Sequence, residues 1–116
     1  MRMDACDRRE VLDDELVGLA VEVFRMLADG TRIRLLWALV GGEMTVGALA
    51  DHLGKPQPTV SQHLAKLRMA RLVRARRAGL QVFYTLENDH VERLVTDAVH
   101  NAEHLGPDPA HHRGQP

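Results

Sequence analysis

Apolar residues recur at helical spacing over most of the chain and alternate at strand spacing in only one stretch. From Asp13 onward Leu16, Leu19, Val23, Phe24 and Leu27 form a stripe, with Asp13, Asp14 and Glu15 placed to complement the positive end of a helix dipole. This first helix is predicted to stop near Asp29-Gly30. Thr31 then reads as the N-cap of a second helix holding Ile33, Leu35, Leu36, Trp37 and Leu39, closed by Gly41-Gly42. Thr45 caps a short third helix, Val46 to Leu53, which Gly54 ends. Lys55-Pro56-Gln57-Pro58 forms a compact turn. Pro58 fits the first turn of a fourth helix, where its missing N–H would have had no partner anyway.

The fourth helix runs to about Ala70 with Val60, Leu64 and Leu67 facing inward, which leaves Thr59, Ser61, Gln62, His63 and Lys66 on other faces. Leu72 to Arg77 and Gln81 to Leu86 read as two strands around Ala78-Gly79-Leu80, a hairpin with arginines near its tip. A last helix spans about Asn88 to His104 with Val91, Leu94, Val95, Ala98 and Val99 on one side, and Gly106-Pro107-Asp108-Pro109 breaks it. The expected organisation is a flexible arm over 1–12, one domain over 13–104, and a flexible histidine-containing tail over 105–116. The predicted fold is mainly α with a small β-hairpin, in the order α-α-α-α-β-β-α.

The 116 residues suffice for one domain with a core and not for two. Net charge is −1, but it divides along the chain: between His52 and Leu86 stand seven basic residues and no acid, while the remainder holds all sixteen acids. Solvated faces normally mix both signs, so an acid-free basic block points to a polyanion. Aromatics are 3% of the chain, too few for a single-strand stacking platform. No apolar run approaches the roughly 20 residues that span a bilayer, so no membrane partner is expected and the address is cytoplasmic. The single cysteine, Cys6, excludes an internal disulfide. No nucleophile elbow, phosphate-cradling loop or His-Glu-x-x-His helix is present, which argues against an enzyme.

Two short helices joined by a tight turn, the second polar on its outer face and followed by a basic hairpin, fit duplex DNA as a winged helix-turn-helix. Gln62 is placed to read an adenine edge, and Ser61 and His63 to reach bases or phosphates. Lys55, Lys66, Arg76 and Arg77 would neutralise phosphates. Gln57 and Thr59 complete the expected DNA-binding set. The first and last helices carry more apolar surface than the small core can cover, which predicts a homodimer through those helices. Its two reading helices would lie about 34 Å apart on a palindromic promoter site.

Phe24-Arg25-Met26-Leu27-Ala28-Asp29-Gly30-Thr31-Arg32, the run Pro58 to Arg68 and the run Gly79 to Tyr84 resemble the ArsR/SmtB family of bacterial winged-helix regulators, over about residues 13–104. The resemblance implies a transcription factor, and family habit favours a repressor released from DNA by a metal ion. The family's Cys-x-Cys site falls on Thr45 and Gly47 and is absent. At its last-helix site Asn88 and Asn101 replace two ligands while His90 and His104 match, so the usual tetrahedral zinc site does not carry over. His90, Glu103-His104 and His111-His112 are similar to the nickel- and cobalt-sensing actinobacterial branch, with Asp89 and His100 as further donors and Cys6 as one from the arm. His90 and His104 are about 21 Å apart along one helix. They can share an ion only across an antiparallel pair of last helices in a dimer. Imidazoles and carboxylates suit nickel or cobalt, with zinc as the alternative. The competing expectation keeps DNA binding and drops the metal, with regulation through a second regulatory protein or another ligand; Asn88 and Asn101 support it.

Overall fold

A computed structural model describes residues 10–106. Cys6, His111 and His112, with most of the expected arm and tail, lie outside the described residues. The first predicted stripe becomes α1 (Asp14–Leu27), started by Asp13, whose carboxylate accepts the Leu16 N–H at 2.8 Å. Val23, Met26 and Leu27 of α1 pack against the core, yet no residue of this helix is fully buried. Helix α2 (Gly30–Val40) begins one residue before the expected Thr31 cap. Asp29 takes the cap instead, accepting the Arg32 N–H at 3.0 Å. A carboxylate in that place both satisfies a free N–H and meets the positive helix end, which a threonine hydroxyl does less strongly.

A two-residue strand β1 (Met44–Thr45) leads into α3 (Val46–Leu53), whose Ala48 N–H is capped by the Thr45 hydroxyl at 3.1 Å. Gly54 closes α3 at φ 67°, a left-handed conformation that glycine adopts without steric cost. Helix α4 (Gln57–Met69) carries Pro58 in its first turn and buries Val60, Leu64 and Leu67 completely. Strands β2 (Val73–Ala78) and β3 (Gln81–Leu86) form the hairpin, and α5 (Asp89–Leu105) starts from Asn88, which caps the Val91 N–H at 3.0 Å.

The hairpin has a third strand. β1 pairs antiparallel with β3, Met44 opposite Tyr84 and Thr45 opposite Phe83, giving the sheet order β1-β3-β2. Two residues are too few to show alternation, so this strand leaves no periodic trace in the sequence. The core gathers Leu35, Leu36 and Leu39 of α2 with Leu49, Val60, Leu64, Leu67, Val73, Val91 and Val95. It lies under α3 and α4 and fixes their mutual angle, while α1 stays outside it.

Candidate nucleic-acid interface

The turn Gly54–Pro56 sets α3 and α4 as a helix-turn-helix pair. Because α4 commits only Val60, Leu64 and Leu67 to the core, Thr59, Ser61, Gln62 and Lys66 are exposed, with Lys55 exposed in the turn before them. No acid stands on α4. Gln57 is also exposed, but its amide nitrogen lies 3.5 Å from where a β-carbon on Gly47 would sit, so it rests on α3.

His63 differs from its neighbours. Its side chain is 20% exposed and turns inward, with Nδ1 3.4 Å from Arg32 Nη1 and 3.9 Å from Asp29 Oδ2. Arg32 in turn donates from Nε to the Met26 carbonyl at 2.7 Å. The Arg32 N–H bond, aided by the charges of Arg32 and His63, holds the Asp29 carboxyl below its ordinary range against the opposing effect of burial. His63 thus ties the reading helix to the α1–α2 junction rather than presenting its imidazole outward. Nothing in the local pattern of α4 signals this, since the partners are about thirty residues away.

The end of α4 adds a cation of the basic run that the expected DNA-binding set leaves out. Arg71 N–H donates to the Arg68 carbonyl and Leu72 N–H to the Leu67 carbonyl, the two bonds of a Schellman cap. Arg71 occupies the left-handed position of that cap at φ 60°, alone among the described non-glycine residues, and its side chain is exposed. The conformation costs about 1 kcal/mol that glycine would avoid.

On the wing, Arg74 and Arg77 are exposed and, among the described residues, enter no salt bridge. Arg76 is placed differently. Its Nη2 and Nε bond the Glu43 carboxylate at 2.6 and 3.2 Å, and its guanidinium lies 4.9 Å from the centre of the Phe83 ring. Glu43 is held below its ordinary pKa and Arg76 above it, each by the hydrogen bond to the other. The acid comes from outside the acid-free run, carried to the wing by β1. Leu80, fully exposed, and Gly79, at φ 63°, make the tip.

The expected metal donors are spread along α5. His90 and Asp89 are exposed in its first turn, and Arg93 Nη2 lies 3.0 Å from His90 Nδ1. Glu103 and His104 are exposed in its last turn, and His100 meets Trp37 edge to face with ring centroids 6.2 Å apart. Among the described residues, no three histidine, cysteine or carboxylate side chains come together as a metal site. No helix among them is long and apolar enough to cross a membrane.

The bacterial regulatory protein arsR family model matches residues 29–75, which spans α2 to the start of the wing. The HTH-type transcriptional regulator KmtR of Mycobacterium tuberculosis is 65% identical over 103 residues, covering 88% of this chain and 79% of that protein. The chain belongs to the arsR family. Among solved structures, this arsR-family regulator is similar to the homodimeric winged helix-turn-helix DNA-binding domain of Mb0332 from Mycobacterium bovis. That likeness has a TM-score of 0.74 at 34% identity, covering 81% of this chain and 91% of that one. It is also similar to the antimony-specific transcriptional repressor AntR, with a TM-score of 0.76 at 32% identity, covering 84% of this chain and 88% of that one. The winged helix-turn-helix read from the residues is therefore the fold, and the arsR-family regulator is a transcriptional regulator of the ArsR/SmtB type.

Proposed function

We propose that the chain is a homodimeric, metal-responsive repressor that lays α4 of each protomer into the major groove of a two-fold symmetric promoter site. The observation that carries this reading is the acid-free outer face of α4, continued by the exposed Arg71, Arg74 and Arg77. Gln62 and Ser61 stand where base edges are read. Lys55, Thr59, Lys66 and Arg77 are the phosphate contacts. His63 positions the helix, and Arg76 acts only to the extent that Glu43 releases it.

The dimer is supported by α1, on which Leu16, Val17, Leu19, Val21 and Phe24 are 41–64% exposed. A helix with so much uncovered apolar surface marks an association face. Mb0332, similar over most of the chain, is homodimeric, which supports the same arrangement here. AntR, a repressor by name, supports repression.

For the metal, the described residues of one chain do not bring a fitting donor set together, because His90 and Glu103-His104 stand at opposite ends of α5. Two antiparallel copies of α5 would bring them together, with His111 and His112 as further donors. Such a set of imidazoles and carboxylates fits nickel or cobalt, and zinc next. A second reading, in which a partner protein rather than a metal sets DNA affinity, is favoured by the Arg93 guanidinium beside His90, a cation where another cation would bind.

Fluorescence anisotropy on the chain's own upstream DNA at fixed salt, with and without nickel, cobalt or zinc, separates the two. The metal reading predicts at least a tenfold change, about 1.4 kcal/mol of coupling. Equal affinity in every case removes it and leaves the DNA-binding regulator intact.

A further inference from the structure

Between α2, the α3–α4 turn and α5 lies a groove of about 650 Å³ whose lining includes Arg34, Trp37, His52, Leu53, Lys55 and Val99. Three of these can carry positive charge, and among the described residues no carboxylate lines the groove. Among the described residues none of Arg34, His52 and Lys55 enters a salt bridge. The floor is apolar, with Trp37 still 41% exposed. A groove of this kind fits a ligand with an apolar stem and several negative charges.

The chain carries one segment with that chemistry. Residues 10–16 hold Glu10, Asp13, Asp14 and Glu15 beside Val11, Leu12 and Leu16, without a basic residue. All seven are exposed, Val11 at 96% and Leu12 at 56%, and none of the four acids enters a salt bridge among the described residues. In the protomer this segment lies off its own groove, whose lining includes none of residues 10–16. The groove edge at Gly30 adjoins the C-terminal end of α1, whereas the acids stand at its N-terminal end, about 21 Å away along a rigid helix.

We infer that the groove seats residues 10–16 of a second copy of this chain, with the acids of the second copy facing Arg34, His52 and Lys55 and its Val11 and Leu12 covering Trp37 and Leu53. The inference rests on the homodimer proposed above and assigns it a reciprocal clasp, since a two-fold axis repeats the contact. It also gives Lys55 two claimants. That residue adjoins the reading helix, so the partner's acids and the DNA backbone draw on the same charge, and a seated clasp lowers the phosphate affinity of the turn.

The test is a charge swap in the full chain, read by sedimentation equilibrium. Arg34→Glu with Lys55→Glu should weaken the dimer by about tenfold, from two exposed charge pairs per clasp repeated twice. Asp14→Lys with Glu15→Lys should do the same, and the four changes together should restore the dimer constant to within about threefold of the original. Trp37, the only tryptophan, reports groove occupancy: its emission should shift to the blue on association and lose that shift in either half-swap. Additive losses in the fourfold variant overturn the clasp, as does a dimer indifferent to both half-swaps. So does an emission shift that an aromatic carboxylate saturates while the dimer constant stays unchanged. A wild-type chain that stays monomeric at micromolar concentration removes the dimer itself, a failure distinct from these.

Discussion

Arg76 stands in the most basic stretch of the chain, yet its guanidinium is already engaged by Glu43 through bonds of 2.6 and 3.2 Å. A cation neutralised in this way releases no counterion when DNA arrives. Replacing Glu43 with Gln removes the competing charge and leaves the Phe83 ring to hold the guanidinium in place. One phosphate contact freed in each protomer is two in the dimer and steepens the slope of log affinity against log salt by about 1.8, which over a rise from 50 to 200 mM is about a 12-fold difference. The gain in affinity of Glu43→Gln over the wild type should therefore be largest at low salt and shrink by that factor across the range. Arg76→Ala in the wild-type background should leave the slope nearly unchanged, while Arg77→Ala, lost from both protomers, should flatten it by about 1.8. Anisotropy titrations at four salt concentrations resolve these slopes. If Glu43→Gln leaves the slope alone and Arg76→Ala flattens it as much as Arg77→Ala, the pair opens on DNA and the reasoning fails.

Three further outcomes are expected. Leu19→Asp with Phe24→Asp puts charges on the uncovered face of α1 without touching a buried residue, so light scattering should give the mass of a single chain while the circular dichroism spectrum stays that of the wild type. Arg71→Gly relieves the left-handed cap and should raise thermal stability by up to about 1 kcal/mol, while flattening the salt slope of DNA binding if Arg71 meets a phosphate; a melting point that falls would contradict the strained cap. Asp29 has a carboxyl lowered from its ordinary 3.8 in the folded chain, so its contribution to stability is complete above that pH and is lost as pH falls through the lowered value. Thermal melts from pH 5 to 2 should accordingly show a smaller acid loss for Asp29→Asn than for the wild type.

Local rules carried most of the fold. Thr45, Gly54, Pro58 and Asn88 each act within three or four residues of themselves, so their caps and turns can be read from neighbouring sequence alone. The inward triad Val60, Leu64 and Leu67 follows from spacing and is buried as spacing requires. Asp29 displaced Thr31 as a cap because two candidates stood two residues apart; the carboxylate meets the free Arg32 N–H more strongly than a hydroxyl would, and the approach of His63 adds a tertiary contact that no local pattern shows. The strand β1 escaped detection for want of length.

The candidate site divides along the same line. Exposure of Thr59, Ser61, Gln62 and Lys66 is a consequence of helix periodicity, but the environments of His63 and Arg76 depend on Asp29, Arg32 and Glu43, each at least thirty residues distant. A count of acids within a window cannot see an acid delivered by a neighbouring strand. The donors proposed on α5 show the limit for metals, since a set shared between two chains would leave no cluster within one.

Two copies of α4 on one duplex would leave a footprint of defined spacing, which hydroxyl-radical cleavage of the chain's own upstream DNA resolves. Two protected patches centred about 10 base pairs apart on one face of the helix, about 34 Å, are expected, both lost in the Gln62→Ala, Arg77→Ala double variant. A single patch, or protection that survives the double variant, would contradict it.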